Sequence, residues 1–78
     1  MRELFLLTIN GNDHPGVTAA FTGTLSQHGV NVLDIGQAVI HDRLNLGLLI
    51  EIPDASDSGV VMKELLFLAH GHLSLIHI

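Results

Sequence analysis

The stretch Asn10 to Thr18, NGNDHPGVT, gathers residues able to do chemistry: a carboxylate at Asp13, an imidazole at His14, and two glycines, Gly11 and Gly16, that let a ligand approach the backbone closely. The glycines and Thr18 stand at nearly the spacing of a phosphate-cradling loop. That loop needs lysine where this chain has Val17, and Asp13 would place a negative charge inside the phosphate nest. The chemistry therefore disfavours a nucleotide site. Two readings stay open. In one, the stretch is a connecting turn in which Asn10, Gly11 and Gly16 supply unusual backbone angles and Pro15 fixes φ near a helix start. In the other, the loop enters a helix N-terminus whose free amides suit a carboxylate, while Asp13 receives an ammonium group. Such a loop is a receptor for a zwitterion.

Other chemistry finds less support. Of the six histidines, His14, His28 and His41 fall in three different segments, and only His70 and His72 are close together. No HExxH or paired carboxylate cluster accompanies them, so they read as scattered solvent-facing residues and no metal site is expected. There is no cysteine, no Gly-x-Ser-x-Gly, and no acid and base pair committed to one pocket. Asp54 and Asp57 flank a turn, where helix capping is the ordinary role.

A chain of 78 residues has room for one domain, and folding at this size buries roughly 60 to 65 % of the unfolded surface. Hydrophobic residues make up 47 % and charged ones 14 %, which places the chain outside the disordered class. No apolar run reaches the roughly 18 residues that span a bilayer, so no membrane partner is expected. The net charge of −5 leaves only Arg2, Arg43 and Lys63 as cations, and nucleic acid is an unsuitable partner. The start MRELFLLTING lacks a small-residue cleavage site, and a cytoplasmic location is expected.

The elements that must position the loop follow from periodicity. Glu3 to Ile9 is short, apolar and closed by NGND, which suits a strand buried on both sides. Beyond Pro15 and Gly16, the positions Val17, Ala20, Phe21, Leu25 and His28 recur at spacings of three and four, and Gly29 stands ready as the helix stop. Val30 to His41 is a long β-branched strand with Gly36 as an expected bulge or close-approach point, followed by the polar turn HDRLN. Leu44 to Ile52 is apolar at every even position from Leu46. Pro53 ends it, Asp57 and Ser58 are candidate caps, and VVMKELLFLAH predicts a helix with Val61, Leu65 and Leu68 on its buried stripe. The tail GHLSLIHI has strand-like spacing.

This order is the ferredoxin-like βαββαβ arrangement: an α+β fold whose four-stranded antiparallel sheet carries both helices on one face. LFLLTI and LLI offer apolar side chains to both sides of that sheet. The uncovered face is thus expected to self-associate or pack on another domain.

The run LTINGNDHPGVTAAFTGTLSQHGVNVLDIGQAVIHDRLNLGLLIEIP resembles the ACT domain, a regulatory module of amino-acid metabolism, through its D-x-P-G-V loop and its HGVNVLDIGQ segment. LDIGQAVIHDRLNLGLLIEIPD with MKELLFLAH is further similar to the N-terminal ACT region of bacterial phosphoserine phosphatases. The resemblance covers about Leu4 to His70. It implies a module, non-catalytic by itself, that binds an amino acid such as serine between two modules, in a homodimer or a tandem pair. The ligand would sit on the loop Gly11, Asn12, Asp13, His14 and Gly16 and on Asn31 of the neighbouring module. The resemblance also implies a haloacid-dehalogenase-like catalytic domain in the parent enzyme, with an aspartate nucleophile and magnesium; no D-x-D-x-[TV] motif occurs in these 78 residues, so no cofactor is expected here. The alternative is a structural dimerisation module that has lost ligand binding.

The tail departs from the family pattern. LSLIHI, residues 73–78, resembles the translation of a transposase adapter end used in preparing sequencing libraries. The expected division is an ACT domain over 1–72 and a non-native tail over 73–78 standing in for an atypical or truncated last strand. A genuine C-terminal strand would also pair adequately through its backbone.

Overall fold

The computed structural model describes residues 2–13, 15–54, 57–72 and 74–77. The elements are β1 (Glu3–Asn12), α1 (Val17–Gln27), β2 (Asn31–Ile40), β3 (Arg43–Ile52), α2 (Ser58–Gly71) and β4 (Ser74–His77). They form one antiparallel sheet in the order β2-β3-β1-β4, the ferredoxin-like arrangement expected from the element order.

Strand alternation builds the core. Leu7 and Ile9 of β1 and the even positions Leu44 to Ile52 of β3 point to one face, where they meet Val17, Phe21 and Leu25 of α1 and Val61, Leu65 and Ala69 of α2. Both helices therefore cover the same face. The stripes match the spacing read from sequence, with two differences: Ala69 is buried where Leu68 is only partly so, and His28 is exposed beyond the end of α1. Leu4 and Leu6, at 61 % and 63 % exposure, lie on the opposite face, so β1 is buried on one side only.

One boundary and two local details differ from the sequence reading. β1 runs on through Gly11 and Asn12, because these pair with Leu44 and Arg43 of β3 and the Arg43 guanidinium donates to Asn12 Oδ1 at 3.1 Å. The turn propensity of NGND yields to that pairing. The irregularity in β2 falls between Val32 and Asp34, while Gly36 pairs in register with Gly47. Asp57 occupies the N-cap of α2 without a side-chain capping bond.

Two chain reversals meet expectation. The C-terminus of α1 closes with Gly29 at φ +70°, Gly29 N donating to Ser26 O at 3.1 Å and Val30 N to Leu25 O at 3.0 Å. This pair of bonds with buried Leu25 and Val30 is a Schellman motif. His41 and Asp42 join β2 to β3 with φ of +50° and +63°, the two positive values of a type I′ hairpin. In the tail, Ser74 to His77 pair with Gly11 to Thr8 as an edge strand; Leu73 and Ile78 lie outside the described residues.

Candidate functional site: a cleft at the start of α1

The site is set by how β1 hands the chain to α1. Asp13 N donates to Asp42 O at 2.8 Å, so the β2–β3 hairpin holds the start of the loop. Gly16 then takes φ +88° and ψ −4°, a left-handed conformation open to glycine at little cost, and its carbonyl accepts the first helical bond from Ala20 N at 2.9 Å. The amides of Val17, Thr18 and Ala19 precede that bond. They have no hydrogen-bond partner among the described residues, and no side chain caps the helix.

A cleft of about 410 Å³ opens at this point, lined by Asp13, Pro15, Gly16, Val17, Thr18, Ala19, Gln37 and Leu44. Its volume suits a small ligand. The Thr18 hydroxyl donates to Gln37 Oε1 at 2.7 Å, tying the helix start to β2. With its oxygen so engaged, the Gln37 amide nitrogen keeps its donors for a ligand. The cleft thus sets a carboxylate on the loop beside amide donors on the helix and on Gln37. It can offer opposite polarity to the two ends of a zwitterion.

The candidates read from sequence are divided by this geometry. Asp13 and Gly16 line the cleft. Gly11 is buried inside β1, and the Asn12 side chain is engaged by Arg43, so neither belongs to the loop proper. His14 lies outside the described residues. Asn31 stands at the far end of the sheet: its amide donates to Glu51 Oε1 at 3.1 Å, and Glu51 pairs with Leu4 at the start of β1. The eight residue steps from Leu4 to Asn12 span roughly 26 Å. Asn31 and the loop can share a ligand only across two modules.

Gln37 was not among the sequence candidates. Its signal is a break in pattern, since on the helix-facing side of β2 the residues are Val32, Ile35, Gln37 and Val39, with one polar member. Among the described residues, no three His, Cys, Asp or Glu side chains are grouped to hold a metal. No helix among them is long and apolar enough to cross a membrane.

With this fold and cleft in hand, comparison with known proteins defines the class. The ACT-domain profile matches residues 3–78, and the chain belongs to the ACT-domain family of regulatory modules. Among individual proteins, phosphoserine phosphatase SerB2 of Mycobacterium tuberculosis is 42 % identical over 67 residues, which cover 85 % of this chain and 16 % of that enzyme. A UPF0237 protein of Bifidobacterium longum is 36 % identical over 61 residues, covering 77 % of this chain and 68 % of its own. The crystal structure of a candidate glycine cleavage system transcriptional repressor superposes with a TM-score of 0.92 at 23 % identity, over 99 % of this chain and 44 % of that one. The chain therefore spans about a sixth of the phosphatase and under half of the structural neighbour.

Proposed function

We propose that this chain is an amino-acid sensor of the serine class, acting as the regulatory region of a phosphoserine phosphatase of serine biosynthesis and carrying no catalysis itself. The observation that supports it is the pairing of Asp13 with three helix amides, unpartnered among the described residues, in one small cleft. The carboxylate of the amino acid takes the amides of Val17 to Ala19, its ammonium takes Asp13, and Gln37 reads a side-chain hydroxyl. Asn31 of a second module closes the site from outside.

Pairing of modules has its own physical support. All ten residues of β2 are exposed, and β2 is an edge strand with one side of its backbone unpaired. Such an edge is a template for a further strand. Regulation then follows as linkage: the amino acid favours the paired state only as far as it binds that state more tightly. The coupled unit is a haloacid-dehalogenase-like domain using magnesium, in a cytoplasmic enzyme. The exposed β2 edge also suits the rival reading, a dimerisation module without a ligand.

Calorimetric titration with L-serine and glycine, beside sedimentation of the same samples, separates the two. Saturable heat that vanishes in Asp13→Ala supports the sensor. A folded dimer with no heat and no thermal shift at any attainable serine concentration supports the rival.

A further inference from the structure

Thr18 and Thr22 stand one turn apart on the same flank of α1, yet their hydroxyls have different partners. Thr22 bonds back to its own helix, its hydroxyl shared between the Thr18 carbonyl at 3.0 Å and the Ala19 carbonyl at 3.3 Å, as helical threonines commonly do. Thr18 lies in the first turn, where no helical carbonyl stands four residues before it. Its hydroxyl reaches across to β2 instead and donates to Gln37 Oε1 at 2.7 Å. Among the described residues this is the one hydrogen bond the Gln37 side chain makes. The neighbours of Gln37 on the helix-facing side of β2, Ile35 and Val39, are apolar and cannot hold an amide. Thr18 therefore decides which end of that amide is left to the cleft.

The bond fixes the polarity of both partners. With its proton committed to Gln37, Thr18 Oγ1 has only lone pairs to offer and can only accept; with its oxygen turned to Thr18, Gln37 has only its NH₂ to offer and can only donate. Both residues line the cleft, so one acceptor and one donor of settled sign lie side by side there. A hydroxyl satisfies both, donating to Thr18 Oγ1 and accepting from Gln37 Nε2. A methyl group satisfies neither. A side-chain carboxylate has no donor for Thr18, and a side-chain ammonium has no acceptor for Gln37.

Given the amino-acid site proposed above, on which this rests, we infer that Thr18 and Gln37 act as one unit that sets the ligand class: small amino acids with a hydroxyl on the β-carbon. Thr18 is the positioning residue of the pair. It holds the Gln37 amide in the donating sense and itself accepts from the ligand hydroxyl.

The test is calorimetric titration with L-serine and with L-alanine, the same molecule without the hydroxyl, on the parent chain and on Thr18→Val, Thr18→Ser, Gln37→Leu and the variant carrying both Thr18→Val and Gln37→Leu. Valine keeps the shape of threonine and has a similar helix propensity, so circular dichroism should stay unchanged. The parent should prefer serine over alanine by roughly tenfold. Thr18→Val should lose that preference through serine alone, with alanine affinity unchanged, and Thr18→Ser should keep it. The double variant should lose much less than the product of the two single losses, because the pair works as a unit. Before any ligand is added, Thr18→Val should also move the side-chain amide resonances of Gln37 and leave those of Gln27 in place. A parent that binds serine and alanine equally, a Thr18→Val variant that keeps the preference or weakens both ligands alike, single losses that multiply, or Gln37 resonances that stay fixed would each overturn the pairing while leaving the sensor reading in place. A folded parent that binds no amino acid would overturn both.

Discussion

Replacing one glycine at a time by alanine tests how the backbone builds both the cleft and the helix that bounds it. A Cβ at Gly16, Gly23 or Gly29 would meet no atom within 4 Å, so packing distinguishes none of the three. Backbone handedness does. Gly16 enters α1 at φ +88° and Gly29 leaves it at φ +70°, whereas Gly23 lies in mid-helix. The left-handed region costs an L-residue about 1–2 kcal/mol, partly offset by about 0.4–1 kcal/mol from the more restricted unfolded chain. Gly16→Ala and Gly29→Ala should each lose roughly 1 kcal/mol, lowering Tm by about 4–8 °C for a domain this small. Gly23→Ala should gain about 0.8–1 kcal/mol from helix propensity. Urea unfolding with an unchanged m-value measures all three. The reasoning fails if Gly16→Ala is as stable as the parent, or if Gly23→Ala moves in the same direction as the other two.

Further outcomes follow from burial and turn geometry. Phe21→Ala should lose about 3–5 kcal/mol, because Phe21 is fully buried on the core face of α1; against a total of roughly 4–12 kcal/mol for this length, urea titration should find the variant barely folded. Asp42→Gly should gain up to about 1 kcal/mol by relieving the second positive φ of the hairpin, read as a higher urea midpoint. Asp13→Ala should leave stability within about 0.5 kcal/mol, since the side chain is exposed and the bond to Asp42 uses the backbone, yet weaken serine binding by tenfold or more on the order of a lost charged hydrogen bond. Gln37→Ala should likewise spare the fold and weaken binding, with serine affected more than glycine in calorimetry.

The fold was largely legible because its signals are local: odd and even apolar positions in β3, three-and-four spacing in both helices, and Gly29 at a helix end. What sequence reading missed arises from pairing across the sheet. NGND has the composition of a turn, yet Gly11 and Asn12 remain in β1 because β3 satisfies their backbone. A glycine marks a bulge only when the partner strand requires one, and Gly36 faces another glycine in register. The candidate site was half legible for the same reason. Asp13 and Gly16 announce themselves by residue type, but Gln37 joins them only through the strand register that brings β2 to the start of α1. Asn31, close to that loop in the resemblance, is separated from it by the length of the sheet within one chain.

The most direct test of the sensor reading is amide chemical-shift mapping of the isotope-labelled chain during titration with L-serine. The expected result is saturable shifts at Val17, Thr18, Ala19 and the Gln37 side chain, with Asn31 shifting in parallel as modules pair. A spectrum of a folded chain in which those amides stay fixed at saturating serine would contradict it.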